Sequence, residues 1–102
     1  MIVAVLRTRL IPEERDEYMP WSDRMNALVA TIPGYISHKR FDAPDGERLL
    51  FAEFESMEAV RAWSVHPEHV EAKKKGRASF YQEYRVQICS VLRDSAFPKE
   101  AT

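Results

Sequence analysis

Cysteine is nearly absent from this sequence. Cys89 stands alone, so no internal disulfide can form and a reducing compartment, the cytoplasm, is expected. Glycine is scarce too: Gly34, Gly46 and Gly76 lie too far apart to build a phosphate-cradling or dinucleotide-binding loop. No apolar stretch approaches the ~18 residues that a membrane helix needs. An excess of positive charge is also missing. Fifteen basic and sixteen acidic side chains nearly cancel, which argues against a general binder of nucleic acid or anionic membrane. Histidine is limited to His38, His66 and His69, too few beside one cysteine for a four-ligand zinc site, so no metal is expected. Nothing reads as a Ser-His-Asp or Cys-His nucleophile arrangement. Met1 leads straight into strand-like residues, without the parts of a secretory signal.

What remains is one small domain with ordinary apolar content, 45% of 102 residues. Residues 1–94 form the domain in this reading and 95–102 a tail. Residues 2–10 read as a strand that is apolar on both faces until Arg7, so something must cover each face. Pro12-Glu13-Glu14 opens a helix whose apolar stripe runs through Tyr18, Trp21, Met25, Leu28, Val29 and Ile32, with Pro20 expected to kink or delay it. Pro33-Gly34 stops it. Tyr35 to Phe41 and Arg48 to Glu55 are strands joined by the turn-forming Asp42-Ala43-Pro44-Asp45-Gly46. Ser56 caps a second helix, and residues 81–93 form a last strand with Tyr84, Val86, Ile88 and Leu92 on one face. The order β-α-β-β-α-β is the ferredoxin-like α+β arrangement, a four-stranded antiparallel sheet with both helices on one face. Val3 and Val5 on the bare face then call for a second subunit's sheet, which predicts a homodimer.

The second helix carries the stretch of most chemical interest, Trp63-Ser64-Val65-His66-Pro67-Glu68-His69. A residue before proline avoids the α region, and proline suits a first helical turn, so the helix breaks near Val65 and restarts at Pro67. Trp63 is either a core aromatic or a pocket wall. His66 is either a helix-boundary side chain bonded to backbone or a general base. His69 is either a half-exposed residue at a helix start or the general base, and an ordinary histidine pKa near ~6.5 suits proton removal around neutrality. His38 sits mid-strand beside Ile36 and Arg40; it faces solvent or contributes to substrate binding. Arg7 holds an anionic oxygen or pairs with a carboxylate such as Glu53. Tyr81 and Tyr84 fall on opposite faces of a regular strand, Tyr84 packed and Tyr81 able to offer its hydroxyl to a pocket. Lys73-Lys74-Lys75 with Arg77 reads as a solvated face, although it has the charge of a phosphate or propionate patch. Cys89 reads as a small buried residue.

The sequence resembles the antibiotic biosynthesis monooxygenase (ABM) family of dimeric α+β barrels, especially the branch grouped with HmoA-like haem-degrading monooxygenases. The residues that carry the likeness are Ile32-Pro33-Gly34-Tyr35, Phe51-Ala52-Glu53-Phe54-Glu55-Ser56, Trp63-x-x-His66-Pro67-Glu68-His69, Gly76-Arg77, Phe80-Tyr81 and Tyr84-Arg85-Val86, spread over residues 2–94. The resemblance implies oxidation of an electron-rich phenol, quinol or anthrone by O2 without a bound cofactor. In that reading Trp63 packs a small aromatic substrate, His66 or His69 takes its proton, and Arg7 or Tyr81 steadies the anion. Two alternatives stay open: a haem-degrading enzyme, and a non-catalytic barrel that binds small ligands under stress. For the former, alignment to the well-studied haem branch puts Lys73 where the iron-ligating histidine stands and Arg7 where its asparagine stands. Only Trp63 carries over.

Overall fold

The computed structural model describes residues 1–97. Its elements are β1 (Ile2–Leu10), a 3-10 turn (Pro12–Glu14), α1 (Arg15–Val29), β2 (Tyr35–Asp42), β3 (Arg48–Phe54), α2 (Met57–Ser64), α3 (Pro67–Lys75), a π-helical turn (Gly76–Phe80) and β4 (Tyr81–Ser90). The strands form one antiparallel sheet in the order β2-β3-β1-β4. This is the ferredoxin-like α+β fold expected from the element order. The last strand ends earlier than its pattern suggested, leaving Leu92 beyond it and almost fully exposed. The expected tail, 95–102, lies partly outside the described residues, and 95–97 have no regular structure.

Strand alternation sends Ile2, Ala4, Leu6 and Thr8 of β1 to one face and Val3, Val5, Arg7 and Arg9 to the other. The first face packs the helices. Ile2, Val29, Ala52, Phe54, Ala59 and Val60 form its buried cluster, with Ala4, Tyr35 and Trp63 against it. The tight passage from α1 into β2 requires Gly34. Its φ of +88° is left-handed, and a Cβ there would stand 2.8 Å from Cβ of Ala59. Pro20 does not end α1, which runs through it at the loss of one backbone bond.

Two strand irregularities decide which side chains meet. On β2 the register shifts between Tyr35 and Ser37, so Tyr35 opposes Phe54 while His38 opposes Ala52. On the β1–β4 pair it shifts at Arg9 and Leu10, so Tyr81 opposes Leu10 while Glu83 opposes Arg9. Each bulge inserts one residue and reverses the in-out alternation beyond it. Tyr81 therefore shares the helix-side face with Tyr84, where a regular strand would have set them on opposite faces; their rings lie 5.6 Å apart. Cys89 is exposed, because it opposes Val3 on the face that carries no helix.

Candidate active site

A cavity of about 370 Å³ lies between the helix-side face of the sheet and helices α1, α2 and α3. Ala4, Leu6, Leu50 and Val86 form part of its floor, and Tyr18, Trp63, Tyr81 and Tyr84 supply aromatic walls. That is the size of an ordinary small-molecule site.

The break between α2 and α3 builds one wall. His66 precedes Pro67 and takes φ −58° and ψ 129°, the extended conformation a pre-proline residue prefers. Helix α2 thus ends with its last carbonyls lacking intrahelical partners. Two side chains of α3 reach back to them. The Nδ1 of His69 lies 2.8 Å from the Trp63 carbonyl, and Nζ of Lys73 donates to the Ser64 carbonyl at 2.8 Å. The helix break therefore fixes the orientation of both residues.

A carbonyl only accepts, so the His69 proton sits on Nδ1 and Nε2 keeps its lone pair. No hydrogen bond engages Nε2 among the described residues, and His69 lines the cavity. Its imidazole lies flat on the Trp63 indole, ring centres 4.0 Å apart and planes 12° from parallel. Burial lowers the His69 pKa to about 4, and the charges of Lys73 and His66 add to that, against the Trp63 hydrogen bond. The ring is neutral throughout the physiological range.

His66 has a different task. Its Nδ1 accepts the Glu68 backbone N–H at 3.2 Å and caps α3, away from the cavity lining. His38 lines the cavity rather than facing solvent, for the β2 bulge turns it to the helix side. The Tyr35 hydroxyl lies 2.6 Å from its Nδ1. A phenol is the better proton donor of the two, which leaves the His38 proton on Nε2. Tyr81 also lines the cavity, and burial, with the Tyr18 hydroxyl alongside, raises its pKa, so it keeps its proton and can donate.

Arg7 is not with them. It lies on the opposite face of the sheet and forks onto Glu47, with Nε and Nη2 at 3.2 and 3.0 Å from Oε2. Glu53 is out of reach because the register sets Arg7 opposite Leu49 and Glu53 opposite Val3. Lys73 and Arg77 also line the cavity, whereas Lys74 points outward to Glu71 at 3.6 Å. The sequence held a signal for this pair: His69, Lys73 and Arg77 recur every four residues, one face of a helix.

Sheet, one-sided helices and an aromatic cavity between them define a small α+β protein with a single-subunit pocket. Residues 1–75 match the antibiotic biosynthesis monooxygenase family, and the chain belongs to it. It is 32% identical over 94 residues to the uncharacterised protein YqjZ of Bacillus subtilis, covering 92% of this chain and 82% of YqjZ. Its fold is also that of Rv0793 from Mycobacterium tuberculosis, with TM-score 0.81 and 18% identity over 93% of this chain and 98% of the other. SnoaB from Streptomyces nogalater, a cofactor-independent oxygenase, superimposes with TM-score 0.76 and 18% identity over 96% and 97% of the two chains.

Proposed function

We propose that this protein is a monooxygenase that oxidises an electron-rich phenol, quinol or anthrone with O2, without a bound cofactor. The unpartnered Nε2 of His69, held in an aromatic cavity by the Trp63 carbonyl, carries the reading. With an anthrone as substrate, Nε2 accepts a proton and leaves a carbanion conjugated with the ring oxygen. Tyr81 donates its hydroxyl to that oxygen, and Trp63 walls the ring system. The anion passes one electron to O2, and the two radicals combine at the ring carbon. The hydroperoxide so formed takes back the proton from His69 and then loses water to give a carbonyl. One oxygen atom ends in the product and one in water: R2CH2 + O2 gives R2CO + H2O. The apolar floor excludes solvent from the radical pair.

The active unit in this reading is a homodimer in the cytoplasm. The helix-free sheet face presents Val5, Leu49 and Phe51, with Phe41 half exposed, and a second copy of that face is its simplest cover. The lone, unpaired thiol of Cys89 suits a reducing compartment. A monomeric mass in solution would remove the dimer from the proposal.

The test is oxygen uptake with 1,8-dihydroxyanthrone and no added metal, flavin or haem. One O2 consumed per anthraquinone formed, lost in His69→Gln, is the expected result. Uptake that survives His69→Gln would overturn the assignment. The same free Nε2 supports a second reading, haem binding, since it is an imidazole nitrogen in the cavity able to ligate iron. A Soret band abolished by His69→Ala but kept in His66→Ala would favour it.

A further inference from the structure

The cavity lining contains two cations and no carboxylate. Neither Lys73 nor Arg77 has an acidic partner among the described residues, so nothing in the cavity lining neutralises them. Lys73 spends one donor on the Ser64 carbonyl and a longer contact on the Ser64 hydroxyl. The Arg77 guanidinium rests over the Tyr84 ring, 5.3 Å from its centre. Lys73 rises from the face of α3 that carries His69, and Arg77 follows in the π-helical turn. Behind the tyrosines, Arg48 is buried under the Tyr18 ring with Nη1 lacking an acceptor, its Nε 3.8 Å from Asp42. Uncompensated positive charge beside apolar walls selects for an anion attached to an apolar body.

We infer that the substrate is a polycyclic aromatic carrying a permanent anionic group, a carboxylate or its equivalent, which Lys73 and Arg77 hold. This rests on the proposed site and deepens it by naming the class of molecule. Such a group has a second consequence. The charge of Lys73 is one of the causes that depress His69. A bound anion offsets that charge and raises the basicity of Nε2 in the complex, so the substrate helps prepare its own base.

Two probes of one skeleton test the inference by fluorescence titration: 1-anilinonaphthalene-8-sulfonate and its uncharged parent N-phenyl-1-naphthylamine. The protein is expected to bind the sulfonate about tenfold more tightly, the worth of one charge-assisted hydrogen bond. K73Q/R77Q should erase that preference and leave the uncharged probe within about twofold. A salt titration of the unaltered protein should weaken the sulfonate alone. Equal affinities, an equal loss for both probes, or binding of neither overturns the inference. Anion-selective binding with no oxygen uptake from any phenol would sink the oxygenase reading alone. Equal turnover of charged and uncharged anthrones would sink only the selectivity.

Discussion

The imidazole of His69 lies parallel to the Trp63 indole at 4.0 Å and bonds to the carbonyl of that same residue. One residue thus supplies both the surface that buries the ring and the acceptor that fixes its tautomer. Replacing His69 by Gln removes the base and should lower turnover by about 10²–10⁴-fold. His66→Ala should leave turnover nearly unchanged, because His66 caps a helix outside the cavity. It should instead cost about 1 kcal/mol of stability. Oxygen-uptake rates and thermal melts on the two variants separate the roles. Equal losses of turnover would contradict the division.

The stacked ring also predicts how stability varies with pH. Its folded pKa is about 4, against about 6.5 in an unfolded chain. Above pH ~6.5 both states hold it neutral and its contribution is whole. As the pH falls from about 6.5 to about 4, the unfolded chain takes the proton first and stability is lost. Allowing for the ring's partial exposure, that loss is on the order of 2 kcal/mol. Melting curves from pH 7.5 to 4.5 should therefore fall more steeply for the native protein than for His69→Gln, which cannot titrate. Parallel curves would show that His69 is not the group concerned.

The sequence held the element order, the helix break at Pro67 and the Trp63-His69 stretch, because proline chemistry and hydrophobic period are local signals. It did not reveal which strand residues look into the cavity. Tyr35 with His38, and Tyr81 with Tyr84, are each three residues apart and should point oppositely on a regular strand. Each pair shares a face because a one-residue bulge lies between its members. A bulge depends on how two distant strands fit together, and nothing in either strand's own pattern announces it. Of the two readings for Arg7 the structure shows the ion pair, but with Glu47 in place of Glu53, because the cross-strand register brings Glu47 within reach.

Gly34 and Gly46 both have left-handed φ, +88° and +93°, but differ in surroundings. A Cβ at Gly46 meets only the Arg9 Nη1 at 3.8 Å, whereas at Gly34 it meets the Cβ of Ala59, a buried residue of α2, at 2.8 Å. Gly46→Ala should therefore cost about 1 kcal/mol from backbone strain alone. Gly34→Ala adds overpacking and should cost a further ~1–3 kcal/mol. Chemical denaturation of both variants measures the difference. If the two were equally destabilised, the contact with Ala59 would not matter.

Gly76 poses a contest between two effects of opposite sign. Its backbone is helical, with φ −59° and ψ −49°, so alanine fits the conformation and by helix propensity alone would stabilise by about 1 kcal/mol. The new Cβ, however, would stand 2.6 Å from Cε2 and 3.0 Å from Cδ2 of Tyr81. Those atoms belong to a ring hemmed in by Tyr18 at 5.8 Å and Tyr84 at 5.6 Å between centres, and not to a flexible tip. Overpacking of this kind costs about 1–3 kcal/mol, so it should outweigh the propensity gain. Gly76→Ala should lower the melting temperature by several degrees and weaken binding of an aromatic ligand, because the Tyr81 ring must shift toward the cavity. A double-mutant cycle decides the cause. In a Tyr81→Leu background the clash is relieved and the propensity gain should reappear, making Gly76→Ala neutral or stabilising. An unchanged penalty in that background would place the cost in the backbone of the π-helical turn instead.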